Sequence, residues 1–231
     1  LLAGPNLVVW PTDAGGILFD NAIDKVIVPS VPTAIVYEAL SPSLAGKIVA
    51  WPAGVNADYW NSVKQVSNAE SRLVIVYDKT SGKEGDLPFQ VERVLRERGY
   101  EVIRITYGKY NHNQYRSLLE RAKFAVFLSR SESQGIALAE TWAMNVPTLC
   151  WNPQERVNRG YDYPIVSSWW YLSDKTGLDF KNIEAFRDQL TQFEGIFTKF
   201  MPREWVLNNF TDALCARKLL DLIENMLDEN G

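Results

Sequence analysis

The stretch that most restricts what this chain can become is residues 124–151, FAVFLSRSESQGIALAETWAMNVPTLCW. Phe124 to Leu128 is a continuous apolar run, too short for a helix and rich in strand formers, so it is expected to be a buried parallel strand. Ser129 to Gly135 is a polar turn. Gly135 to Met144 carries good helix formers, with Ile136, Ala139, Trp142 and Ala143 on one face at spacings of three and four. Asn145 tolerates the left-handed backbone that ends a helix, and Pro147 follows closely. Val146 to Trp151 is the next expected strand. A strand–loop–helix–strand unit of this kind belongs in an open parallel sheet.

Loops at the carboxyl ends of such strands are where ligands bind. Unpaired N–H groups and the positive end of the helix dipole make this one attractive to phosphate, and Gly135, lacking a Cβ, lets a ligand come close to the backbone. Glu132 and Glu140 bracket the loop, with seven residues between them. Were both helical they would lie roughly 12 Å apart along the axis, at about 1.5 Å per residue, a span suited to hydroxyls at both ends of a diphosphate. A purely local alternative exists: Ser129 with Glu132, and Ser131 with Gln134, both fit a capping box.

The order Ser129, Glu132, Gly135, Ile136, Glu140, Ala143, Asn145, Pro147 resembles the nucleotide-sugar site of group 1 glycosyltransferases of the GT-B superfamily. That family shows Ser-x-x-Glu-x-x-Gly-(Phe/Ile)-x-x-x-Glu-(Ala)-x-Ala-x-Gly-x-Pro. Thr141 stands here for the usual alanine, and Asn145 for glycine at a position where both adopt positive φ.

Outside this stretch, Leu73–Tyr77 (LVIVY) is a second buried strand, leading into DKTSGKEGD and then a helix from Pro88 to Arg98. Pro88 suits the first turn and Gly99 the end. The family carries a basic pair after this strand, usually an arginine then a lysine, on the donor diphosphate. Lys79 and Lys83 resemble it, although lysine is a point charge where arginine is a fork; solvated loop lysines are the plainer reading. Glu101–Thr106 (EVIRIT) is the next strand. Its exit, Tyr107, Gly108, Lys109 and Tyr110, resembles the family's turn along the nucleotide base, or is an ordinary turn with two aromatic plugs. Residues 113–122 are a helix. After Trp151, Trp169, Trp170 and Tyr171 suggest either sugar stacking or core filling, and adjacent aromatics on a strand favour the core. Helices are expected over 181–196 and 203–228, with Phe200–Pro202 and Asn208–Phe210 as breaks.

Residues 1–61 hold three strand candidates, Leu7–Trp10, Lys25–Val28 and Lys47–Trp51, and a helix over 31–40. They resemble the end of a GT-B amino-terminal domain and its crossing segment, with Gly54, Val55 and Asn56 where the family has Gly-Val-Asp. Most of that domain is missing, so 1–61 is expected to be a remnant that packs on the carboxyl-terminal helices or pairs with another copy.

Composition enters as a set of exclusions. The chain has 231 residues, 46% hydrophobic, and a net charge of −4 with no long run of like charge, which does not suit a nucleic-acid groove or a polybasic anchor. No apolar stretch is long enough for a bilayer, and the start lacks a signal-peptide pattern. Cys150 and Cys215 are expected to be buried free thiols in a reducing compartment. His112 is the sole histidine, so no metal-site signature is present.

The expected fold class is therefore α/β, a Rossmann-like parallel sheet with flanking helices (a GT-B donor domain) and closing carboxyl-terminal helices, with residues 1–61 as the amino-terminal remnant and 62–231 as the donor domain. The resemblance implies metal-independent transfer of a sugar, with retention, from a nucleotide-sugar donor to an undefined saccharide, lipid or other acceptor. It assigns catalysis to Glu132, Lys79 and Lys83, and donor binding to Ser133, Gly135, Ile136, Ala137, Glu140, Gly108 and Tyr110, with no cofactor beyond the donor itself. The two cysteines and the charge pattern are read as a cytoplasmic location with no nucleic-acid partner, and peripheral membrane contact and a homo-oligomer stay open. Two alternatives stay open: a non-catalytic nucleotide- or sugar-binding module, and a GT-B nucleotide-sugar epimerase, which would need more histidines in its cleft.

Overall fold

The computed structural model describes residues 1–5, 10–62, 70–130, 132, 134–154, 169 and 171–228. Two parallel sheets organise the described residues. The larger has five strands in the order β5-β4-β6-β7-β8, where β4 is Leu73–Asp78, β5 Glu101–Thr106, β6 Phe124–Leu128, β7 Thr148–Trp151 and β8 Gly177–Phe180. All of its pairings are parallel. Every residue of β4, β6 and β7 is buried, as strands covered on both faces must be.

Alternation within the strands sorts side chains between two cores. Ile75, Tyr77, Ala125 and Phe127 face α3 (His112–Leu119), α4 (Ile136–Ala143) and α6 (Pro202–Asn209), in a cluster with Tyr115, Trp142, Trp169 and Val206. Val74, Val76, Phe124, Val126 and Leu128 face α2 (Leu87–Glu97) and α5 (Ile183–Gly195), packing on Val91, Leu95, Phe186 and Phe193. Trp169 and Tyr171 thus fill the core rather than a sugar platform, Trp169 donating from Nε1 to the Trp151 carbonyl at 2.5 Å. Trp170 lies outside the described residues, as do Leu7–Val9 of the first expected strand.

The smaller sheet runs β1-β2-β3, with β1 Leu2–Ala3, β2 Lys25–Val28 and β3 Ile48–Ala50. Its first strand precedes the one expected over Leu7–Trp10, and Trp10 itself is not in a strand. Helix α1 (Val31–Leu40) starts on Ser30, whose hydroxyl accepts from the Thr33 N–H, with Pro32 in its first turn. Leu18, Ile23, Val26, Val28, Tyr37 and Leu44 make a separate small core.

The helical stretch over 203–228 is broken near the expected Asn208–Phe210, where Phe210 and Thr211 leave the helix to bond the crossing segment. Val55 N–H donates to the Phe210 carbonyl at 3.0 Å, and Asp212 N–H to the Val55 carbonyl at 3.2 Å. Trp51 Nε1 reaches the Cys215 carbonyl in α7 (Asp212–Asp228) at 2.7 Å. Gly54 lies so close to this turn that a Cβ would stand 2.5 Å from Asp212 Cα. Arg203 completes the joint, donating to the carbonyls of Ala57, Trp60 and Ala143 at 3.2, 2.9 and 2.6 Å. The amino-terminal segment therefore packs on the carboxyl-terminal helices. Cys150 and Cys215 are buried free thiols.

Candidate functional site

From β4 the chain moves outward to β5, then returns to place β6 on the opposite side of β4. The chain therefore leaves β4 and β6 for opposite sides of the sheet, and the carboxyl ends at such a switch point are the usual ligand position. Asp78 shapes one side of this point: its Oδ1 accepts from the Thr80 N–H at 2.9 Å and the Thr80 hydroxyl at 2.7 Å, a local turn that carries Lys79 across the strand ends. Lys79 N–H bonds the Leu128 carbonyl at 2.8 Å, tying the two loops together.

The other side is the start of α4. Its cap is Gly135, left-handed at φ 67° and ψ 38°, which has no side chain to cap the helix. A Cβ here would meet only ordinary contacts, 3.5 Å from Glu132 Cγ, so backbone geometry rather than space calls for glycine. The capping-box alternative is corrected accordingly: Ser129 is not the cap, Glu132 is not helical, and Ser131 is outside the described residues. With Glu132 outside the helix, the 12 Å spacing estimate does not apply. The first turn of α4 carries the N–H groups of Ile136 and Ala137 at this end of the sheet. Ile136, expected on the apolar face, is 48% exposed instead, because the helix start projects past the sheet. The helix ends as expected, with Asn145 at φ 59° and a paired closure, Val146 N–H to Thr141 O and Asn145 N–H to Trp142 O.

Glu132 and Glu140 have different surroundings. Glu132 accepts both contacts from Lys79 Nζ, at 2.8 and 3.0 Å. Glu140 is 5% exposed, and its carboxylate makes no hydrogen bond among the described residues. Burial alone pushes its carboxyl up to about 7. Beside it is a tyrosine cluster that sequence reasoning did not assemble. Tyr77 and Tyr110 share a hydrogen bond at 3.0 Å, and Tyr115 bonds the Thr141 hydroxyl at 2.5 Å. Burial raises the phenols of Tyr77, Tyr110 and Tyr115, and the Glu140 charge adds to the rise at the last two. Tyr110 is thus half-buried against the core. Tyr107 is 56% exposed, with Lys79 Nζ 4.6 Å above its ring. Gly108 forms the turn between them at φ 75°.

Lys83 is not brought to the Lys79–Glu132 pair. Its N–H closes a turn on the Thr80 carbonyl, and its side chain is exposed and makes no ion pair among the described residues. The second cation at these strand ends is Arg130, which sequence reasoning passed over as one arginine in a serine-rich loop. Its guanidinium forks onto Glu84 at 2.6 and 2.5 Å and lies 5.5 Å from the Trp151 ring. Ser133 lies outside the described residues. Among the described residues, no group of three or more His, Cys, Asp or Glu is placed to hold a metal ion, and no helix is long and apolar enough to cross a membrane.

Neither a protein-family model nor a curated protein matches the sequence. Solved structures do. A glycosyltransferase from Rickettsia africae ESF-5 superposes with a TM-score of 0.66 at 15% identity, over 95% of this chain and 69% of that one. Sucrose-phosphate synthase from Thermosynechococcus elongatus gives 0.59 at 16% identity, over 89% and 59%. A variant of TarM from S. aureus, in complex with fondaparinux, alpha-GlcNAc-glycerol and UDP, gives 0.60 at 18% identity, over 87% and 44%. The chain spans less than two thirds of the last two. The fold is that of GT-B glycosyltransferases, with a Rossmann-like parallel sheet and flanking helices.

Proposed function

We propose that this chain is the donor-binding part of a glycosyltransferase that moves a sugar from a nucleotide-activated donor, with retention and without a metal. The observation that carries the reading is the start of α4 on the left-handed Gly135 at the sheet's switch point, with Glu132 before it and the buried carboxyl of Glu140 within the helix. Free N–H groups at a helix start suit a diphosphate. A carboxyl withdrawn from water is satisfied by neutral hydroxyl donors, which a ribose supplies. That the S. aureus TarM variant was crystallised with UDP adds support for a nucleoside diphosphate ligand.

Transfer requires that charge be stabilised on the departing diphosphate. The N–H groups of Ile136 and Ala137, the α4 dipole and Lys79 would receive it, already oriented at the switch point. Glu132 would accept hydrogen bonds from the transferred sugar, and Glu140 from the ribose. A saccharide, lipid or other acceptor would approach from the amino-terminal side.

Isothermal calorimetry with UDP, GDP and ADP, each with and without EDTA, tests the reading. Binding of one nucleotide with EDTA present is the expected result, and no binding by any of them would remove the donor site. A nucleotide-binding module without transfer is the second reading, and nucleotide binding without sugar turnover would distinguish it.

A further inference from the structure

Helix α7 carries more apolar surface than its joint with the crossing segment covers. Cys215, Leu219, Leu222 and Met226 recur at spacings of four, three and four, which sets them in one line along the helix. Cys215 is buried and the other three are half-buried. Ala216, Leu220, Ile223 and Leu227 repeat that spacing one residue on, in an adjoining line. Of these only Ile223 is half-buried; Ala216 is exposed, Leu220 is 49% exposed and Leu227 68%. Apolar side chains at this repeat are the seam of a helix pair, and a monomer that leaves them in water forgoes the gain of burying them.

The charges bordering the exposed line select its occupant. Arg217 and Glu224 flank it on the side away from the joint, both exposed and without an ion pair among the described residues. Leu219 and Met226 flank it on the other side. A second copy of α7, laid antiparallel about a two-fold axis, puts Arg217 beside the partner's Glu224 and Glu224 beside the partner's Arg217, while Leu219 meets the partner's Met226. The two helix dipoles then oppose each other. A parallel pair would set Glu224 against the partner's Leu219 instead. A lipid surface is a poorer match: α7 carries Asp212, Asp221, Glu224 and Asp228 against only Arg217 and Lys218, a balance that anionic headgroups repel.

We infer that the exposed line of α7 is a homodimer seam, in which two copies of this chain pair these helices antiparallel, with an Arg217–Glu224 ion pair between copies at each end. The seam spans only about three helical turns, small beside a permanent interface, so the dimer forms and dissociates with concentration.

Sedimentation velocity on the whole chain, over a concentration series, tests the seam. The unaltered protein is expected to pass from monomer to dimer as concentration rises. Arg217→Glu alone and Glu224→Arg alone each set like charges at both ends, and are expected to weaken self-association about tenfold. An equimolar mixture of the two variants restores opposite charges at both ends, and is expected to dimerise as well as the unaltered protein. Misfolding of either variant would not produce that recovery. Leu220→Asp, at an exposed position, is expected to leave a monomer. An unaltered protein that stays monomeric at every concentration would overturn the seam. So would self-association that neither charge reversal weakens, or a mixture that fails to recover.

Discussion

Burial takes the Glu140 carboxyl out of water without supplying a hydrogen-bond donor among the described residues, and the group rises from an ordinary 4.5 to about 7. The folded chain then holds this proton more tightly than the unfolded chain does. Its contribution to stability is greatest below pH 4.5, declines as pH rises towards 7, and is lost above it. The shift corresponds to about 3 kcal/mol at about 1.4 kcal/mol per pH unit. Glu140→Gln is therefore expected to raise the melting temperature at pH 8, with the gain shrinking towards pH 5. Hydroxyl donors from a ribose would favour the ionised carboxylate, so the unaltered protein should bind nucleotide roughly tenfold more tightly at pH 8 than at pH 6, a dependence the glutamine variant lacks. A variant less stable at pH 8 with unchanged binding would make Glu140 a structural residue only. The spacing in the sequence marked Glu140 as a candidate, yet its burial was not legible there: it sits next to Ala139 in a helix whose first residue, Ile136, is apolar and exposed. Tyr77 was likewise legible as a strand residue, whereas its bond to Tyr110 crosses between elements.

At the scale of elements, the start of α4 follows from one backbone conformation. Gly135→Ala places an L side chain at φ 67°, which costs about 1–2 kcal/mol and is relieved by re-capping the helix one residue away. Urea denaturation should show that loss, and calorimetry a weaker nucleotide; unchanged binding would mean that the α4 start does not contact the ligand. The bounds of β5 and β6 and of α1 were readable from apolar runs and from Ser30 with Pro32, because local propensity and burial agree there. Strand β8 was not. Gly177–Phe180 is short, lies at the sheet edge and includes Asp179, and what makes it a strand is pairing with β7, which no local pattern records. The break between α6 and α7 was readable at Asn208–Phe210, whereas the pairing of Phe210 and Thr211 with Val55 was not.

Over the whole molecule, the joint between the crossing segment and α7 decides whether the two sheets behave as one body. Gly54→Val inserts a side chain where even a Cβ would stand 2.5 Å from Asp212 Cα, and such overpacking costs about 1–3 kcal/mol. Limited proteolysis is expected to cut within 1–62 earlier in this variant than in the unaltered protein, with 73–228 persisting; identical digestion would show that the joint carries no stability. The bond from Trp51 to the Cys215 carbonyl spans 164 residues. At a synthesis rate of about 5–20 residues per second, the indole leaves the ribosome roughly ten to thirty seconds before the carbonyl that receives it exists. Throughout that interval the three-stranded sheet is held only by its own small core around Tyr37 and Leu44, with its future docking surface bare. The growing chain thus offers a chaperone its longest opportunity at the amino-terminal end, in an interval that outlasts the synthesis of the candidate donor-site residues.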